Sequence, residues 1–129
     1  MEQSSTTLSK LIKAQAIFER FRRDMHDDRD QMGATQAFKF CYELALRMMK
    51  TILAAQGVEV SSPKDIFRQA CLKKLIDDVD VWFDFQVKRN LTAHAYEEEN
   101  LIAIVNNFDL FSTELDKLIK IARVMIVKD

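Results

Sequence analysis

The chain has 129 residues, 48% of them hydrophobic and 30% charged, with 2 Gly, 1 Pro and a formal net charge of −1. That length fits one domain, residues 1–129, with enough chain to bury a core and too little to build two. So few turn-forming residues exclude a loop-rich or sheet-based fold, and a near-neutral balance excludes a nucleic-acid surface spread over the whole molecule; any RNA site must be local.

Apolar residues recur with a helical period almost everywhere. Leu8, Leu11, Ile12, Ala16, Phe18 and Phe21 predict a first amphipathic helix over about 6–24, with Thr6 or Thr7 as N-cap. The acidic run from Asp24 to Asp30 predicts the turn that follows. A second helix over about 31–56 carries Phe38, Cys41, Ala45, Met48, Met49 and Ile52 on one stripe and Phe40, Leu44 and Leu53 on another. Two stripes imply burial on more than one side. Gly57 then stops the helix where a residue of positive φ is needed.

Ser62-Pro63-Lys64-Asp65 is a strong helix start: a serine cap, proline at the first helical position and an acid three residues after the cap. Ile66, Phe67, Ala70, Cys71 and Leu75 continue it as a short third helix. Asp77, Asp78 or Asp80 can cap a fourth over about 79–91, with Trp82, Phe83, Phe85 and Val87 as its apolar residues. Glu97-Glu98-Glu99 begins a long fifth helix, in which Leu101, Val105, Phe108, Phe111, Leu115, Leu118, Ile119 and Ala122 keep the period, with its continuity through Asn106-Asn107 left open. Carboxylates in its first turn suit the helix dipole. With no repeat, low-complexity tract or linker, the expected fold is all-α, an up-and-down bundle of four or five helices.

Cys41 and Cys71 form no C-x-x-C pair, and nothing nearby completes a zinc site. Both lie on apolar stripes and are expected to be buried free thiols, which suits a reducing cytoplasm. Met1-Glu2-Gln3-Ser4-Ser5 lacks the basic and apolar regions of a signal peptide, and no apolar run approaches the ~18 residues of a membrane span. A soluble cytoplasmic protein is expected, with no membrane contact. Several smaller clusters read as structure rather than sites: His26-Asp27-Asp28 with Asp30 as a solvated turn, Arg20, Arg22 and Arg23 as a solvated helix end, and Trp82 as a core residue rather than a base-stacking platform. The Phe108, Phe111, Leu115, Leu118 stripe suits an internal core or a dimer seam.

The segment that carries chemistry is Arg89-Asn90-Leu91-Thr92-Ala93-His94-Ala95-Tyr96, an R-x4-H-x-Y pattern. Arginine offers a fixed cation shaped for phosphate oxygens, histidine exchanges a proton near neutral pH, and tyrosine hydrogen-bonds or accepts a modification. A bare R-x4-H arises by chance in roughly one such chain in eight. Asn90 directly after the arginine and Tyr96 two residues after the histidine make chance a poor explanation. On one continuous helix Arg89 and His94 would stand about 140° apart, so they could not converge on one atom. Either the fourth helix ends inside the motif, with Thr92-Ala93 turning the chain, or a second protomer completes the site; both together are favoured.

The wider sequence resembles the HEPN superfamily, and within it the small helical nucleotidyltransferase substrate-binding proteins encoded beside a minimal nucleotidyltransferase. The segments that carry the resemblance are GATQAFKF at 33–40 leading into Tyr42-Glu43-Leu44-Ala45, SSPKDIFRQA at 61–70, Leu75-Ile76-Asp77-Asp78 with Trp82, and the motif at 89–96. Lys39, Ala37, Arg47 and Met48 depart from the family's usual pattern. The resemblance implies a homodimer whose two motifs line one cleft, acting as a metal-independent endoribonuclease that needs no cofactor. Arg89 would clamp phosphate, His94 act as acid and base, and Asn90 orient the imidazole or donate to a phosphate oxygen. Tyr96 would be the residue to which the partner nucleotidyltransferase attaches AMP, silencing the nuclease of a toxin–antitoxin pair. A second possibility keeps the fold and the partner but not the chemistry: a non-catalytic substrate-binding subunit of the nucleotidyltransferase. The chain has no Gly-rich phosphate loop or paired Asp, so it is not itself the transferase.

Overall fold

The computed structural model describes residues 2–128 of the chain, with side chains described for 4–126; Met1 and Asp129, which the expected domain includes, lie outside the described residues. Six α-helices and one short 3-10 turn follow in order: α1 Glu2–Arg23, α2 Asp28–Ala55, α3 Pro63–Leu72, α4 Val79–Leu91, the 3-10 turn Thr92–His94, α5 Glu98–Val105 and α6 Phe108–Lys128. The bundle is all-helical, as the periodicity requires. No helix among the described residues is long and apolar enough to cross a membrane.

The second helix organises the rest. It touches every other helix, which explains the two apolar stripes in its sequence. Phe38, Cys41, Ala45, Met48, Met49 and Leu53 are buried on it, whereas Phe40 is half-exposed rather than part of the core. Its ends are fixed by side chains. Asp27 accepts from Asp30 N at 2.9 Å, and the Asp30 carboxylate accepts from His26 N at 3.0 Å. The acidic run is thus half turn and half helix start, and α2 begins three residues before the expected position. At the other end Gly57 takes φ +80°, and Val58 N donates to Leu53 O at 2.9 Å, closing the helix as a Schellman turn. Gly33 meets a different need: a Cβ there would stand 2.7 Å from Phe21, so glycine lets that ring lie against α2.

The third helix repeats the same start, with Ser62 Oγ accepting from Asp65 N and Asp65 accepting from Ser61 N. It also ends in a Schellman turn, but here Lys74 carries the positive φ of 64°. Asp78 caps α4, accepting from Asp80 N at 2.9 Å and Val81 N at 3.3 Å.

Other expectations are corrected or resolved. Thr6 and Thr7 lie inside α1 rather than capping it, because Ser4 and Thr7 join Leu8 and Leu11 on the buried stripe and extend the helix upstream. The predicted fifth helix, whose continuity through Asn106-Asn107 the periodicity leaves open, is two helices divided there. Asn107 is buried and its N–H donates to Ile104 O, tightening the turn in the way short amide side chains favour over regular helix. Cys71 is half-buried rather than buried, with Sγ 3.7 Å from Asp77 O, while Cys41 is fully buried; both are free. Burial, helped by the charge of Glu19, pushes the Cys41 thiol up to about 12.

The core centres on aromatic rings in edge-to-face contact. Phe111 lies 4.7 Å from Phe38, 5.0 Å from Phe85 and 5.6 Å from Phe18, ring centre to ring centre. Trp82 stands 5.0 Å from Phe85 and is 1% exposed, so it is a core residue. Phe108, Phe111, Leu115 and Leu118 are buried within the chain, so this stripe belongs to the internal core and not to a seam between copies. Arg22 is no solvated helix end either. It holds Glu19 at 2.8 Å and Asp109 of α6 at 2.8 Å, while Ser112 donates to the other oxygen of Glu19. That strap ties α1 to α6. The pairing lies 87 residues away in sequence, beyond the reach of any local pattern.

Candidate functional site

The motif falls where α4 stops. Leu91 is its last residue, and Thr92 turns the chain, donating its hydroxyl to Arg89 O at 2.6 Å while its backbone N–H serves Arg89 and Asn90 carbonyls. A serine or threonine at this place competes with the helix for backbone acceptors and favours the tighter 3-10 turn over 92–94. Ala95 is buried, and its small side chain lets the turn sit against the core. The His94 carbonyl is held from the far side, by Glu97 N at 3.1 Å and Asn100 Nδ2 at 3.2 Å. Asn100 also donates to Glu97 Oε2 at 3.0 Å. The backbone of His94 is therefore anchored while its imidazole is exposed.

The four singled-out side chains do not converge: His94 and Tyr96 pair, while Arg89 and Asn90 stand apart. His94 Nδ1 lies 3.4 Å from Tyr96 Oη, and the rings meet edge to face with centres 6.0 Å apart. Tyr96 is 72% exposed, so both groups are open to a ligand or a modifying enzyme. Arg89, on the last turn of α4, donates through Nη2 to Glu43 Oε1 of α2 at 2.8 Å. That contact uses one corner of the guanidinium and leaves its other donors available. Asn90 is exposed and, among the described residues, its side chain forms no hydrogen bond, to the imidazole or to any other group. No hydrogen bond joins Arg89 to His94 among the described residues, although α4 does end inside the motif.

Glu43, Asn100 and Tyr42 are the participants that sequence reasoning missed. Tyr42 is buried next to Arg89, and burial pushes its hydroxyl up to about 12 although the Arg89 charge pulls the other way. Its hydroxyl has no partner among the described residues. Glu43 was invisible because pairing of α2 with α4 depends on register between helices, which no local pattern encodes. Asn100 carried a faint signal as the amide that follows Glu97-Glu98-Glu99 at the start of an apolar run. Beside Tyr96 lies a cleft of about 470 Å³ between the start of α2 and α5, with Met32, Leu101 and Ile102 on its apolar side and Asp28 and Glu98 on its acidic side.

Known proteins share this architecture and more. The family described as nucleotidyltransferase substrate binding protein like matches residues 2–123. A Haemophilus influenzae protein named probable ribonuclease HepT is 36% identical over 93 residues, 68% of this chain and 64% of that protein. The matched part thus spans less than two thirds of that relative's length. Among solved structures, a Haemophilus influenzae structure described as revealing the fold of a substrate binding domain of a nucleotidyltransferase superposes with a TM-score of 0.72 at 30% identity, over 95% of this chain and 98% of that one. A Thermus thermophilus protein superposes with a TM-score of 0.82 over 88% of this chain and 98% of that one; at 22% identity it speaks for the fold alone.

Proposed function

The chain belongs to the nucleotidyltransferase substrate-binding protein-like family, and from that premise we propose that it is a metal-independent endoribonuclease of HEPN type, regulated by a nucleotidyltransferase partner. The observation that carries the proposal is the anchored backbone and exposed imidazole of His94, paired with Tyr96 at the point where α4 delivers Arg89 to the surface. RNA can be cleaved there by attack of a 2′-oxygen on the adjacent phosphorus, giving a cyclic phosphate and releasing the 5′-oxygen. His94 takes the 2′-hydroxyl proton, and an imidazolium returns one to the leaving oxygen. Arg89 stabilises the charge that builds on the phosphate oxygens, and Asn90, which is free, adds a donor.

One copy offers a single imidazole at the motif, so we place a homodimer around the site, with the second motif histidine supplied by the other copy. Tyr96, exposed and touching His94, is the proposed site of AMP attachment by the partner, where added bulk and negative charge would block the imidazole and repel RNA. Two free cysteines are in keeping with a reducing cytoplasm.

A second reading has its own support. The apolar Met32, Tyr96 and Ile102 are all exposed near the motif, a surface suited to a protein partner, and one relative is described as a substrate binding domain. In that case the chain docks on the nucleotidyltransferase without cutting RNA. Purified protein incubated with RNA in excess EDTA separates the two. Cleavage that persists in chelator and is lost in His94→Ala supports the ribonuclease; intact RNA, with a stable complex between the chain and the nucleotidyltransferase, supports the binding subunit.

A further inference from the structure

Beyond Arg89, the same face of α2 carries Glu43, Arg47 and Lys50, spaced i, i+4 and i+7 and so projecting to one side. They form one wall of a groove of about 480 Å³, whose other wall is the chain at Ser61 and Ser62 entering α3. Arg47 and Lys50 are exposed. Among the described residues neither forms an ion pair or a side-chain hydrogen bond, as is also true of exposed cations such as Lys10 and Lys13; what sets Arg47 and Lys50 apart is that both line one groove. Two cations facing a common groove without partners attract an anion. Glu43 is the groove's one lining carboxylate, and Arg89 already neutralises it. The start of α3 contributes little, because Pro63 has no N–H and Ser62 already accepts from Asp65 N, while the Asp65 carboxylate accepts from Ser61 N just before the helix.

Glu43 belongs both to this groove and to the ion pair with Arg89, so the groove opens directly beside the proposed phosphate clamp. From Glu43 to Lys50 the helix rises about 10 Å. Successive phosphates are separated by one nucleotide of backbone, ~3.4 Å of axial rise in a duplex and more along the strand itself, so a groove of this length reaches the phosphate next to the one being cut. We infer that this groove is a second phosphate subsite, in which Arg47 and Lys50 hold the RNA backbone adjacent to the phosphodiester at Arg89. The inference rests on the ribonuclease proposal. Contacts of this kind position a strand without reading its bases, Arg47 as a planar fork and Lys50 as a point charge. They also give a chain of net charge −1 a local positive strip through which a polyanion can approach.

The test is binding of a short fluorescein-labelled single-stranded RNA of mixed sequence, followed by anisotropy across a salt series on a His94→Ala background that leaves the RNA uncut. Cleavage is followed separately with His94 in place. The variant Arg47→Gln with Lys50→Gln is set against a charge-matched control, Lys10→Gln with Lys13→Gln, on exposed positions of α1. The groove variant is expected to bind about tenfold more weakly. Its slope of log affinity against log salt should flatten by about 1.4, two single-strand phosphate contacts at ~0.7 each. KM should rise with kcat unchanged at saturating RNA, and the control should match the parent. Parental affinity and slope in the groove variant, with RNA still cleaved, would overturn the subsite and leave the ribonuclease standing. Equal losses in groove and control variants would overturn it as a net-charge effect. Failure of the parent to bind RNA would overturn both proposals together.

Discussion

Arg89 Nη2 donates to Glu43 Oε1 across 2.8 Å, and this contact fixes the last turn of α4 against the middle of α2. The pair is partly open, with 33% of the arginine and 44% of the glutamate side chain exposed, so solvent screens it and it adds little to stability. Its consequence is positional: the guanidinium is aimed before any phosphate arrives. Glu43→Gln should change unfolding stability by less than about 1 kcal/mol in urea titration while lowering the rate of RNA cleavage at saturating substrate. A large stability loss with an unchanged rate would assign Glu43 a structural role instead.

The contact between His94 and Tyr96 predicts a different signature. Tyr96→Phe keeps the ring and removes the hydroxyl, which costs one hydrogen bond of about 0.5–1.5 kcal/mol. Cleavage should slow by between about twofold and tenfold. The same substitution should abolish AMP attachment, read as loss of the added mass after incubation with the nucleotidyltransferase and ATP. Modification that persists in Tyr96→Phe would place the acceptor elsewhere.

Acid should loosen the strap between α1 and α6. Burial raises the Glu19 pKa, but hydrogen bonds from Arg22 and Ser112 and the charges of Arg22 and Arg23 outweigh it and leave the carboxyl below its ordinary value of 4.5. A depressed pKa in the folded state means that the unfolded chain takes up the proton more readily. The stabilisation is therefore complete above 4.5 and is lost as pH falls through the folded value. Urea midpoints should drop more steeply below that pH in the parent than in Glu19→Gln, and parallel profiles would contradict the assignment.

Lys74 closes α3 with φ 64°, a left-handed conformation in which a side chain is strained. Lys74→Gly removes that strain at some cost in unfolded-chain entropy, and a net gain of about 0.5–1 kcal/mol is expected from urea unfolding. A loss would mean that the lysine side chain makes a compensating contact.

What was legible in the sequence was what local chemistry dictates. Ser62-Pro63, the cluster Asp77, Asp78 and Asp80, and Gly57 marked helix ends because caps act within four residues, and the turn at Thr92 was one of two arrangements that the motif's spacing allowed. The stop of α3 was obscure because lysine stands where glycine is usual. The division at Asn106-Asn107 was obscure because the apolar period runs on across it. Contacts between distant elements were hidden altogether. Arg22 with Asp109 and Arg89 with Glu43 depend on how helices are stacked, and charge pattern along one helix says nothing of which helix lies beside it. The candidate residues could thus be named from sequence, but not the carboxylate that aims Arg89 or the amide that anchors His94.

The most direct test of the ribonuclease is growth of cells expressing this chain alone, beside Arg89→Ala and His94→Ala versions matched for soluble protein, with total RNA examined in each culture. Growth arrest and RNA loss with the intact motif, absent from both variants, is the predicted result. Equal growth and intact RNA in all three cultures would contradict it.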